Sequence, residues 1–130
     1  MPTIFTKILN GEISCHKIYE DDKYLSFLDI RPVTPGHALV IPKKEVDYIF
    51  DIDDELLSGL FKCSKKIAHA IKKEIPCKKI GIMVAGIEVP HAHVHLVPIN
   101  SVQDLSFARA QAAPNEELAK VAERIRTHLK

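Results

Sequence analysis

Histidines 91, 93 and 95 alternate with smaller and apolar residues in the run His91-Ala92-His93-Val94-His95-Leu96-Val97. Side chains change faces at every residue of an extended chain, so the three imidazoles share one face. Ala92, Val94 and Leu96 share the other, which is the core face. At a rise of about 3.3 Å per residue, neighbouring imidazoles sit roughly 6.6 Å apart along the strand and can converge on one small group. A phosphate or a metal ion has that size. Thr, Lys or Glu would serve an idle exposed face equally well, so three same-face histidines point to chemistry. Two chemistries fit. Neutral imidazoles coordinate zinc, although this strand has no Cys, Asp or Glu to complete such a site. Alternatively, one imidazole attacks phosphorus while the others hold the phosphoryl group or protonate the leaving group. An imidazole of pKa about 6.5 is substantially neutral near pH 7, yet its conjugate acid donates protons.

These residues must be positioned by a single domain of 130 residues, of which 46% are apolar and 27% charged, an ordinary globular composition. Eighteen Lys and Arg against 17 Asp and Glu leave a net charge of +1, too little for a surface that tracks nucleic-acid phosphates. A small ligand is expected instead. Apolar runs such as Ala38 to Ile41 fall far short of the ~20 residues of a membrane span. Met1-Pro2-Thr3 has no basic-then-apolar signal, so the expectation is a cytoplasmic protein without a membrane partner. Cys15, Cys63 and Cys77 form no C-x-x-C pair and read as free thiols.

Turn signals divide the chain. Thr3 caps a short helix carrying Phe5, Ile8 and Leu9 on one face, and Asn10-Gly11 ends it. His16 to Glu20 and Tyr24 to Ile30 read as a hairpin across Asp21-Asp22-Lys23. The turn-forming segment Arg31 to Gly36 leads to a third strand, His37 to Ile41, closed by Pro42. Apolar residues spaced by three and four from Leu56 to Ile75 predict a long amphipathic helix, capped by Asp51 or Asp53 and stopped by Pro76. Lys79 to Ala85 and His91 to Ile99 read as strands, and Asn115 to Leu129 as a last helix capped by Asn115. His16 and His128 are expected in solvent, and His69 near the polar boundary of the long helix. The predicted class is α+β: an antiparallel sheet of about five strands with a long central helix, a short N-terminal helix and a C-terminal helix. One domain spans 1–130, with 108–130 as a C-terminal helical extension.

The run from His91 to Val97 resembles the signature of the histidine triad family, in which histidines alternate with apolar residues. Two further blocks are similar to that family: Thr3 to Ile8 with Gly11-Glu12-Ile13, and Phe27-Leu28-Asp29-Ile30 through Pro35 to Lys43. The resemblance covers roughly residues 3 to 98. It implies a nucleotide-binding hydrolase or transferase acting at an α-phosphate, built as a homodimer. By position, it implies that His93 attacks phosphorus to form a nucleotidyl-histidine that water then releases. It implies that His37 and His95 contact the phosphate or leaving group, and that the His91 carbonyl fixes the His93 tautomer. Asp29 matches the residue that binds ribose hydroxyls, and Phe5, Ile8, Ile13 and Leu28 match the apolar wall around a purine base.

Departures from the family pattern refine this expectation. Many bacterial members bind zinc through a C-x-x-C pair, a histidine after the Ile-Pro-Lys block and the first histidine of the triad. Here Thr3, Thr6 and Glu45 stand in the first three positions, so no metal and no cofactor are expected. Ala85 and Ile87 stand where asparagine and glutamine are common, which leaves phosphate contacts to the histidines, main-chain amides and Glu88. The leading expectation is a nucleoside phosphoramidase acting on a purine nucleotide conjugate. A dinucleoside polyphosphate hydrolase and a nucleotide-binding module with negligible turnover are the alternatives.

Overall fold

A computed structural model describes residues 2–129. The elements run α1 (Ile4–Leu9), β1 (Lys17–Glu20), β2 (Tyr24–Leu28), β3 (Ala38–Pro42), α2 (Asp54–Glu74), β4 (Lys79–Met83), β5 (Val94–Ile99) and α3 (Asn115–Thr127), with short 3-10 turns at Ile49–Asp51, Val102–Asp104 and Phe107–Arg109. The strands form one sheet in the order β1-β2-β3-β5-β4, antiparallel throughout. This is the expected α+β class. Among the described residues, no helix is long and apolar enough to cross a membrane.

Helix ends follow their local chemistry. The Thr3 hydroxyl accepts from Thr6 N–H, and the Asp53 carboxylate accepts from Leu56 N–H at 2.9 Å, each supplying an acceptor to a helix end that lacks one. Asn115 behaves otherwise. It is the first residue of α3, Pro114 takes the cap position without a side-chain bond, and the Asn115 side-chain Oδ1 lies 3.3 Å from His16 Nε2. His16 is therefore half-buried rather than solvated. So is His128, whose Nε2 lies 3.1 Å from Glu74.

Both faces of the sheet are covered. On one, α2 and α3 press Leu60, Ile67, Ile71, Leu118 and Ile125 onto Ile18, Leu28, Val40, Val94 and Leu96. Each fully buried aliphatic side chain contributes about 1.5–3 kcal/mol. Because α3 supplies Leu118, Ala122 and Ile125 to this cluster, the C-terminal helix is part of the main core. The stretch before it, from 100 to 114, is built of 3-10 turns and extended chain. On the opposite face α1 brings Phe5 against Leu25, Phe27, Leu39 and Ile41.

The connection from β2 to β3 is tight because of Gly36. Its φ of +91° is a conformation L side chains rarely adopt, and a Cβ there would lie 2.8 Å from the Ile75 side chain. Glycine at this point lets the turn close under the C-terminal end of α2 and delivers His37 to the head of β3.

Candidate active site

Strand β5 begins at Val94, three residues later than the hydrophobic alternation predicts. β3 pairs with it through Ala38–Leu96, Leu39–His95 and Val40–Val94, where the ladder between the two strands ends. His91 and His93 therefore lie in the extended lead-in. Ala92 N–H donates to the Val46 carbonyl at 2.7 Å and holds that lead-in in place. Alternation still operates across the boundary, so Ala92, Val94 and Leu96 enter the helix-side core while the imidazoles take the Phe5 face. All three are buried, with relative exposures of 0%, 6% and 7% in chain order. Burial excludes an idle solvated face.

The hydrogen bonds fix the tautomers. His93 Nδ1 lies 2.7 Å from the His91 carbonyl; a carbonyl only accepts, so Nδ1 carries the hydrogen and Nε2 keeps its lone pair. His91 Nε2 likewise donates to the Pro42 carbonyl at 2.8 Å. Val33 N–H donates to His37 Nδ1 at 3.0 Å, so the His37 hydrogen is on Nε2, which donates to His95 Nδ1 at 2.9 Å. That leaves His95 with an Nε2–H. The site thus offers a bare imidazole nitrogen on His93 beside an N–H donor on His95, whose ring centroid is 4.9 Å from that of His93; His91 Nδ1 is bare as well, but it is buried without a hydrogen-bond partner.

Burial sets the charge state. Loss of hydration pushes His37 down to about 4 and, with the neighbouring rings of His93 and His37, pushes His95 down to about 3. Burial also lowers His93 and His91, partly opposed by their carbonyl partners and by nearby carboxylates. Near pH 7 the cluster is uncharged, as a nucleophilic imidazole requires.

Asp29 stands at the mouth of the cluster. Its Oδ1 accepts from Arg31 N–H at 2.9 Å, and its Oδ2 lies 3.7 Å from His37 Nε2. Ligand atoms of Asp29, His37 and His95 fall within 4.8 Å of one another, the spacing of a metal site. The donor chemistry argues against one. Val33 occupies the Nδ1 lone pair of His37, so its Nε2 carries hydrogen and has no electron pair for a cation. Thr3, Thr6 and Glu45 come together elsewhere: Glu45 Oε1 accepts from Thr3 N–H at 3.2 Å and from the Thr6 hydroxyl. These bonds hold its carboxyl below the usual carboxylate range.

The remaining sequence assignments divide. Phe5 stands edge-on to His93 at 4.9 Å and to His91 at 5.7 Å, and Ile8 packs half-buried beside it. Glu88 is exposed on the loop before His91, close enough for its charge to favour protonated His93. Leu28 is placed elsewhere. It is 2% exposed within the helix-side core, because period two sends Tyr24 and Leu28 to that face and Leu25 and Phe27 to the histidine face. Phe27, 5.7 Å from Phe5, occupies the position assigned to Leu28. Ile13 is 36% exposed beyond α1 and stands outside the Phe5 cluster. The alternation of β2 was sufficient to identify Phe27.

One contact had no sequence signal. Phe107, in a 3-10 turn outside any periodic pattern, sets its ring 4.9 Å from that of His95.

Comparisons with known proteins agree with this geometry. The family model described as HIT domain matches residues 10–102. An uncharacterized HIT-like protein of Borreliella burgdorferi is 39% identical over 127 residues, covering 92% of this chain and 91% of that protein. The adenosine 5'-monophosphoramidase HNT1 of Saccharomyces cerevisiae is 38% identical over 96 residues, covering 73% of this chain and 61% of that protein. Among solved structures, a Hit-like protein of Bartonella henselae, described as involved in cell-cycle regulation, superposes with a TM-score of 0.87 at 36% identity over 98% of this chain and 96% of that one.

Proposed function

The chain belongs to the histidine triad (HIT) family, and on that premise we infer that it is a nucleotide hydrolase that cleaves purine nucleoside phosphoramidates at the α-phosphate. The observation that carries this reading is the bond from His93 Nδ1–H to the His91 carbonyl, which leaves the Nε2 lone pair available in a buried, uncharged pocket. Phe5, Ile8 and Phe27 form the apolar wall for the base, and Asp29 Oδ2 accepts from the ribose hydroxyls. His93 Nε2 attacks phosphorus and the bond to the leaving atom breaks with its electron pair on that atom. His95 Nε2–H hydrogen-bonds to the phosphoryl or leaving group, and the leaving atom takes a proton from solvent. Water then attacks the nucleotidyl-histidine, expels the imidazole and releases the nucleoside monophosphate, returning one proton to solvent. Burial keeps His93 uncharged and so ready to attack.

The yeast relative named as an adenosine 5'-monophosphoramidase supports this substrate class. The working form is a homodimer. Strand β4 is a sheet edge bearing exposed Ile82, and Phe61 of α2 is exposed, apolar surface that a second copy would cover. Sedimentation should give about twice 14.6 kDa.

The test is turnover of an adenosine phosphoramidate by purified protein, with a dinucleoside polyphosphate alongside. His93→Ala should abolish hydrolysis while calorimetric binding of adenosine monophosphate persists, because Asp29 and the apolar wall remain. Retention of more than about a tenth of the activity would sink the covalent route, since loss of a nucleophile removes the step itself.

A further inference from the structure

Helix α1 has six residues, too few to hold a helix unaided in water, so its place on the sheet depends on contacts made elsewhere. Part of that hold is the burial of Phe5, which is 6% exposed. The rest is polar. Among the described residues, the hydrogen bonds that run from residues 3–13 to the rest of the chain end on one atom, Glu45 Oε1. It accepts from Thr3 N–H at 3.2 Å and from the Thr6 hydroxyl.

Glu45 belongs to a short segment that also grips the histidines. The Pro42 carbonyl accepts from His91 Nε2 at 2.8 Å, and the Val46 carbonyl accepts from Ala92 N–H at 2.7 Å. Residues 42–46 therefore hold α1 through one side chain and the lead-in to β5 through two carbonyls. Phe5 stands between the two gripped elements, edge-on to His93 at 4.9 Å and to His91 at 5.7 Å. The His93 ring is hydrogen-bonded through Nδ1 to the His91 carbonyl, a contact about which it can still tilt. Its tilt is set by the rings packed against it, Phe5 and His95.

We propose that Glu45 is a positioning residue for His93: its carboxylate clasps α1 to the 42–46 segment and so sets the Phe5 ring against the imidazole that attacks phosphorus. The role of His93 as nucleophile rests on the hydrolase reading above, whereas the clasp rests on the hydrogen bonds alone. Glu45 is exposed and, among the described residues, hydrogen-bonds to no histidine, so it acts through α1. Its charge also favours protonated His91, an effect that must be separated from the clasp.

Glu45→Ala and Glu45→Gln make that separation, because both remove the charge but the Gln carbonyl still accepts from Thr3 N–H and the Thr6 hydroxyl. The first measurement is the rate at which diethyl pyrocarbonate modifies each histidine of the ligand-free protein near pH 7, read by mass spectrometry. Glu45→Ala should speed modification of His93 by about 2- to 10-fold, the equilibrium range of one hydrogen bond, with Glu45→Gln within about twofold of wild type. His37, which packs on His95 away from Phe5, is the control and should change by less than about twofold. The second measurement is kcat/KM for an adenosine phosphoramidate, which should fall by about 2- to 10-fold in Glu45→Ala and recover in Glu45→Gln. In a Phe5→Leu background, which keeps apolar bulk in the core but removes the ring, Glu45→Ala should add less than about twofold to either effect.

An unchanged His93 rate in Glu45→Ala overturns the proposal, and so does hydrolysis that is undiminished in that variant. Glu45→Gln behaving like Glu45→Ala would assign the effect to charge, an equal rise at His37 would assign it to general loosening, and a full effect in the Phe5→Leu background would remove Phe5 from the chain of contacts. Each of these also overturns it. If the wild-type protein hydrolyses no phosphoramidate, the hydrolase reading fails by itself, and the modification rates still judge the clasp.

Discussion

Acidification from about pH 7 to about pH 5 should destabilise the fold through the His37–His95 pair. In the folded protein burial holds these imidazoles at about 4 and about 3, whereas in the unfolded chain they return to the ordinary value of 6.5. Folded values below the unfolded one mean that the unfolded state binds more protons between them. Stability is then fully present above pH 6.5 and is lost as pH falls toward the folded values. Each pH unit below 6.5 costs about 1.4 kcal/mol for an imidazole that stays neutral only when folded. At about pH 5 that is about 2 kcal/mol for each histidine. The two rings share a hydrogen bond and titrate as a unit, so the pair is expected to lose about 2–4 kcal/mol. The assay is urea unfolding at both pH values for wild type and for the double variant His37→Asn, His95→Asn. The variant retains the carboxylates and the other histidines, so the difference in pH sensitivity isolates the pair. Equal losses in wild type and variant between the two pH values would refute the argument that burial, rather than an ionic partner, sets the charge of this cluster.

Three further outcomes are expected. The acidic limb of the pH profile of kcat/KM should lie below 6.5, because burial lowers His93; an apparent pKa at or above 6.5 in rapid-quench or steady-state data would contradict this. Gly36→Ala should destabilise by about 1–3 kcal/mol in chemical denaturation, since it combines a positive φ with a Cβ against Ile75, and a neutral result would show that the turn relaxes freely. Asp53→Ala should cost about 1 kcal/mol in the same assay by removing the acceptor of Leu56 N–H, with Asp53→Asn restoring most of it.

Local periodicity made most of the elements legible. The three- and four-residue spacing from Leu56 to Ile75 determined α2, because only a helix places those side chains on one stripe, and Asp51 or Asp53 and Pro76 bracketed it, the structure selecting Asp53 as the cap. Alternation in 91–97 determined which side chains meet the core and which form the site. The same rule applied to β2 separates Phe27 from Leu28. Tertiary structure decided what a one-dimensional pattern cannot carry. β5 starts where its pairing with β3 starts, at Val40–Val94, a contact between residues 54 apart in sequence. The proton on His37 depends on the Val33 amide, delivered by a turn that closes only around Gly36. The cap expected of Asn115 gives way to its contact with His16, about a hundred residues away in sequence. Phe107 reaches His95 because long-range bonds from Arg31 and to Ile30 strap an aperiodic segment across the sheet, and no local propensity encodes such contacts. The low pKa of the histidines likewise follows from burial under α1 and the sheet, since desolvation is a property of the surrounding atoms and not of the residue type.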